Sequence, residues 1–214
     1  MKKALLARLK SGGFTMIELL VVISILGILA VIVLAAINPL EQINRGRDTA
    51  SRSDAEQLLS AFERYNAFNG FFPWQEDAND VTNIALDMQI VNDGWLESGN
   101  TCTILERLSN STTVGCVGTQ ELKDAFVTRV NDNGGGSTGT VEARGLYVYY
   151  EGTSGDNVYV CFSPQSNAFR NEASIRCDGT NTLPTDLSSA TTVCVDPGTD
   201  NAAGEDGIDM ICLP

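Results

Sequence analysis

Chemistry-bearing side chains in this 214-residue chain fall into three groups. The first lies near the front, where K-S-G-G-F-T-M-I-E-L-L-V-V-I (residues 10–23) sets a carboxylate, Glu18, at the threshold of a run that otherwise tolerates no charge. A carboxylate in the apolar part of a bilayer costs a few kcal/mol on insertion scales, and in a lone anchor that charge is pure cost, relieved in part by sitting near the interface. The second group is six cysteines, Cys102, Cys116, Cys161, Cys177, Cys194 and Cys212, all in the second half. No two have C-x-x-C spacing and the chain holds no histidine, which argues against zinc and for disulfides made outside the cytoplasm. The third is an acidic tail, D-P-G-T-D-N-A-A-G-E-D-G-I-D-M-I-C, in which Asp196, Asp200, Glu205, Asp206 and Asp209 gather oxygens of the kind Ca²⁺ prefers. Its spacing departs from the EF-hand loop, so a solvated acidic loop bounded by cysteine is the simpler reading, with calcium as the weaker candidate and no other cofactor implied.

The elements that position Glu18 are clear. From Leu19 to Ile37 the chain reads LLVVISILGILAVIVLAAI, 19 residues softened only by Ser24 and Gly27. As a helix rising ~1.5 Å per residue it reaches ~28 Å, the hydrocarbon thickness of a membrane. Lys2, Lys3, Arg8 and Lys10 precede it, which predicts a cytoplasmic amino terminus and an exported body. An ordinary secretory signal places its small-residue cleavage site after the apolar core, whereas the small pair Gly12-Gly13 stands before it.

These residues, a basic leader followed by G-F-T-M-I-E-L-L-V-V-I-S-I-L-G-I-L-A, resemble the class III signal of type IV pilins and their pseudopilin relatives. The resemblance implies that a prepilin peptidase cuts between Gly13 and Phe14 and methylates Phe14 as the new amino terminus. It also implies that Glu18 pairs with the terminal amine of a neighbouring subunit inside a bundle of apolar helices. In the same family the helix loses regularity between a glycine and a proline as subunits pack, which points to Gly27 and Pro39, although this proline stands slightly later than is usual.

After the span, Pro39 predicts a break at Asn38. Helix then resumes: Ala55, Leu58, Leu59, Phe62, Tyr65 and Phe68 recur at helical spacing, with Asp54, Glu56, Gln57, Glu63 and Arg64 between them. The exit F-E-R-Y-N-A-F-N-G-F-F-P (residues 62–73) also resembles that of pilins, and Asn69-Gly70 followed by Pro73 is a stop signal. Residues 74–118 read as loop with short elements, with a glycosylation sequon at residues 110–112 that chance explains. Residues 120–130 pattern as a short helix. Gly134-Gly135-Gly136 lacks the lysine of a phosphate cradle. The clearest β signal is a hairpin over residues 145–162, with further strands expected at Ile175-Arg176-Cys177 and Thr192-Val193-Cys194-Val195. Six cysteines allow fifteen connectivities, and neighbour pairing, 102–116, 161–177 and 194–212, closes the shortest loops.

The expected fold is α+β: a long N-terminal helix, half transmembrane and half amphipathic, on a small antiparallel sheet with a disulfide-stapled C-terminal region. The expected segments are a leader (1–13), an assembly helix (14–37), a kinked amphipathic helix (38–70) and a head (71–214). Beyond the leader, 201 residues keep 10 of the 14 cations and all 27 acids, a net charge of −17, which disfavours nucleic-acid binding. Without histidine or a nucleophile–base constellation the chain reads as no enzyme. The expected role is a pilin anchored in the cytoplasmic membrane by one span and then extracted into an extracellular filament for adhesion, motility or DNA uptake. Its expected partners are other copies, the prepilin peptidase and the pilus assembly machinery. The alternatives are a pseudopilin of a secretion or competence system and, from another class, a membrane-anchored adhesin or receptor head.

Overall fold

The computed structural model describes residues 13–36, 38–80, 85–92, 94–95, 102–110, 113, 116–133, 145–153, 157–178, 183–188, 190, 192–195 and 207–214. The chain divides into two units, Met1–Leu40 and Glu41–Pro214.

In the first unit, α1 spans Met16–Ala36. It is apolar on every face, so nothing directs one side toward a core, and its described side chains are all exposed. Its residues Met16–Leu34 are long and apolar enough, by length and composition, to cross a membrane. Gly27 lies within the continuous helix, and a Cβ there would meet nothing within 4 Å. Ser24 Oγ donates to Leu20 O at 2.8 Å, which satisfies the hydroxyl inside an apolar segment.

Pro39 is the first residue of α2 (Pro39–Asn69), where its missing N–H costs nothing. One face of α2 buries Ala55, Leu58, Ala61, Phe62 and Tyr65. Phe68, expected on that face, is 82% exposed because the helix ends one residue later. Gly70 supplies the left-handed stop at φ +79°, and its N–H donates to Asn66 O at 2.8 Å.

The core face of α2 packs beneath a four-stranded antiparallel sheet ordered β1-β2-β3-β4: Leu86–Ile90, Leu146–Tyr150, Tyr159–Phe162 and Ile211–Leu213. The expected hairpin is β2–β3, with Val148 opposite Val160 and Tyr147 opposite Cys161. Alternation sends Leu146, Val148, Tyr150, Val160, Phe162 and Ile211 into the core with α2. The other face carries Tyr147, Tyr149, Tyr159 and Cys161 and is covered by Leu187, Ala190, Val193 and Met210. At the helix exit Trp74 stacks on Phe72 (4.6 Å) and meets Phe62 edge-on (5.3 Å), so these aromatics are core. Edge strand β1 carries a bulge at Met88, φ +37°, which disrupts the row of groups another strand could pair with.

Two expected strands are absent. Ile175-Arg176-Cys177 ends helix α5 (Asn167–Cys177), whose cap is Ser166; Ala173 faces the core while Ile175, the residue that suggested a strand, is exposed. Thr192-Val193-Cys194-Val195 is a turn that sets Val193 under the outer face of the sheet, with Met210 N–H donating to Val193 O. Two further short helices are α3 (Ile104–Leu108) and α4 (Asp124–Asn133), the latter shifted by several residues from the expected 120–130. The triple glycine and most of the sequon lie outside the described residues.

Polar contacts fasten α2 to these elements. Asp48, 1% exposed, accepts from Gln165 N–H (2.9 Å) and from Ser166 N–H and Oγ–H (2.8 and 2.5 Å). Arg52 pairs with Glu172 of α5 and lies over the Phe169 ring at 5.0 Å. Asp54 holds Arg129 of α4 through both oxygens, at 2.9 and 2.5 Å, and those hydrogen bonds lift the guanidinium pKa further above its ordinary value.

Candidate processing and assembly site

The site begins where the chain enters α1. Gly13 and Phe14 are not in regular structure; Phe14 is 87% exposed, and no atom crowds the position a Cβ would take at Gly13. Both residues that flank this peptide bond are exposed. Thr15 follows, and its carbonyl accepts the first helical hydrogen bond, from Leu19 N–H at 3.2 Å, as a residue at a helix cap does.

Glu18 is three residues further on, and the two side chains serve each other. Thr15 N–H and Thr15 Oγ–H both donate to Glu18 Oε2, each at 2.7 Å, while Glu18 N–H donates to Thr15 Oγ at 3.3 Å. This reciprocal arrangement is a capping box, which satisfies donors that a helix start leaves orphaned. Among the described residues Glu18 Oε1 has no hydrogen-bond donor, and Glu18 is exposed. Thr15 has no place in the expectation that Glu18 awaits one amine. The signal was present in the chain, since Thr15-Met16-Ile17-Glu18 has the T-x-x-E spacing.

All six candidate cysteines are in disulfides. Cys102 joins Cys116 as neighbour pairing expects, but Cys161 joins Cys212 and Cys177 joins Cys194, so the expected 161–177 and 194–212 bridges do not form. Strand order explains this. β4 pairs with β3 and sets Cys212 directly opposite Cys161, with Cα atoms 4.0 Å apart. That leaves Cys177, at the end of α5, to reach Cys194.

Of the weak calcium candidates, Asp196, Asp200, Glu205 and Asp206 lie outside the described residues. Asp209 Oδ1 accepts from Val195 N–H at 3.0 Å and so ties the last turn of the chain together. Its carboxylate stands near the sulfurs of Cys177 and Cys194, but those sulfurs are bonded to each other and offer no thiolate to a metal.

Two carboxyls outside the span are held in their charged form by neighbouring hydrogen-bond donors. Burial alone would raise the Glu106 carboxyl, but hydrogen bonds from Thr113 and Thr103 outweigh it and hold the pKa below the usual range. Asp186 behaves likewise: burial opposes its charge, while Asn157 N–H and Tyr159 Oη–H stabilise it and the net shift is downward.

No curated protein and no solved structure matches the chain. Residues 8–34 match the prokaryotic N-terminal methylation motif, a stretch that contains the Gly13–Phe14 bond, the Thr15–Glu18 box and nearly all of α1. That motif, together with one described helix long and apolar enough to cross a membrane, is consistent with the class III signal of type IV pilin-like proteins.

Proposed function

We propose that this chain is a structural subunit of a type IV pilus-like filament. A prepilin peptidase removes residues 1–13 and methylates Phe14, the Met16–Leu34 segment holds the subunit in the cytoplasmic membrane, and subunits leave the membrane into a fibre built on their bundled α1 helices. The fibre serves adhesion, motility or DNA uptake, and the subunit itself is not a catalyst.

One observation carries this reading. Glu18 is an exposed carboxylate at the start of a helix whose described side chains are all uncovered, four residues after the amine that a cut at Gly13 would free. An uncovered apolar helix would suit a single anchor in lipid, but a lone anchor has no use for the carboxylate, which there is only a cost. A bundle of such helices uses both. The apolar surfaces pack on one another, and an amine of one copy neutralises Glu18 of another where screening is weak and a missing partner is expensive.

The test is Glu18→Ala in the full chain, produced in cells that assemble filaments. The variant should be cut, methylated and inserted normally, yet the yield of sheared filaments should fall at least tenfold. Filaments at the unaltered yield would remove the pairing role and with it the main support for this reading.

A further inference from the structure

We propose that Thr15 is the positioning residue for Glu18: its amide and hydroxyl occupy Oε2 and thereby present Oε1 to the amine of another copy. The proposal rests on the filament reading above and adds a residue and an atom-level division of labour to it.

The geometry is asymmetric between the two carboxylate oxygens. Both Thr15 donors reach Oε2 at 2.7 Å, whereas Oε1 receives none from the described residues. A glutamate has three rotatable side-chain bonds, and on a bare helix in lipid it would swing toward the interface to recover hydration. The return bond from Glu18 N–H to Thr15 Oγ fixes the threonine in turn, so the carboxylate is held on the helix surface rather than free to swing. A rigid acceptor loses less entropy when it binds than a mobile one does.

The same contacts account for how the subunit waits in the membrane before assembly. Two donors to one oxygen remove part of the desolvation cost of the carboxylate without consuming the other oxygen. The helix start gains as well, because the Thr15 N–H is one of the donors that apolar surroundings leave unsatisfied. The hydroxyl is the group that matters: an alanine at position 15 keeps the amide donor but loses the Oγ bond in both directions.

The experiment compares Thr15→Ala, Thr15→Ser and Glu18→Ala in the full chain, with the peptidase and assembly machinery present. Intact mass reads leader removal, membrane fractionation reads insertion, and circular dichroism in detergent reads helix content. Sheared-filament yield reads assembly. Thr15→Ala should be processed and inserted with unchanged helix content, and its filament yield should fall about fivefold, the factor matching a lost cap of about 1 kcal/mol. Thr15→Ser should restore the yield. Thr15→Ala assembling normally while Glu18→Ala does not would overturn the positioning role and leave the filament reading intact. A Thr15→Ser yield as low as that of Thr15→Ala, or a Thr15→Ala chain left uncut, would overturn it too. Normal filaments from Glu18→Ala would remove the pairing on which both proposals stand.

Discussion

Asp48 on α2 accepts from both the backbone N–H and the hydroxyl of Ser166, at 2.8 and 2.5 Å, across 118 residues of sequence. With Gln165 N–H on its other oxygen, this buried carboxylate closes the start of α5 against α2. Negative charge at a helix N-terminus is favourable, and Ser166 is also the α5 cap, donating nothing further but accepting from Phe169 N–H at 3.4 Å.

Asp48→Ala removes an acceptor from three donors in a site closed to water. It should destabilise the protein by about 2–4 kcal/mol, because buried donors left without partners carry their full desolvation cost. Ser166→Ala should cost about 1 kcal/mol, the usual effect of losing a cap. Chemical denaturation of the full chain in detergent, followed by the fluorescence of buried Trp74 and Trp95, measures both. Equal, negligible effects would mean that α5 is held by other contacts.

The bridges differ in the loop each closes: 51 residues for Cys161–Cys212, 17 for Cys177–Cys194 and 14 for Cys102–Cys116. By loop-closure entropy, removing the 51-residue bridge costs about 4 kcal/mol and the 14-residue one about 3. Paired Cys→Ser variants should follow that order in denaturant midpoint. Non-reducing peptide mapping should recover the Cys161 peptide linked to the Cys212 peptide, and a Cys161–Cys177 linkage would contradict the strand order.

Acid should weaken the α3 region through Glu106. Its folded pKa lies below the unfolded value, so the contribution is fully present above the unfolded carboxyl range and is lost as pH falls through the folded pKa. Melting temperature should therefore decline between about pH 5 and pH 2 more steeply in the unaltered protein than in Glu106→Gln. Parallel pH curves for the two would show that Glu106 is not a source of the acid sensitivity.

Features carried by local pattern were legible in the sequence: the all-apolar α1, the amphipathic face of α2, the Asn69-Gly70 stop and the β2–β3 hairpin. Features set by distant partners were not. Asp48 and Asp54 look like solvent-facing residues of an amphipathic helix until Ser166 and Arg129, 118 and 75 residues away, fold against them. Strand β4 has three residues, too few for alternation to register, and exists because β3 offers it an edge. The Cys161–Cys212 bridge depends on that same strand, and with it the Cys177–Cys194 bridge, whereas the local Cys102–Cys116 bridge forms as neighbour pairing expects. In contrast, the Thr15–Glu18 box is local, and the T-x-x-E spacing of residues 15–18 carries it.

If cleavage at Gly13 makes the subunit of a filament, the cut chain must be found in the filaments themselves. Mass spectrometry of filaments sheared from cells that make this protein tests it most directly. The dominant chain should begin at an N-methylated Phe14 and contain no free thiol. Filaments lacking the chain, or a cell-bound product that retains residues 1–13, would contradict it.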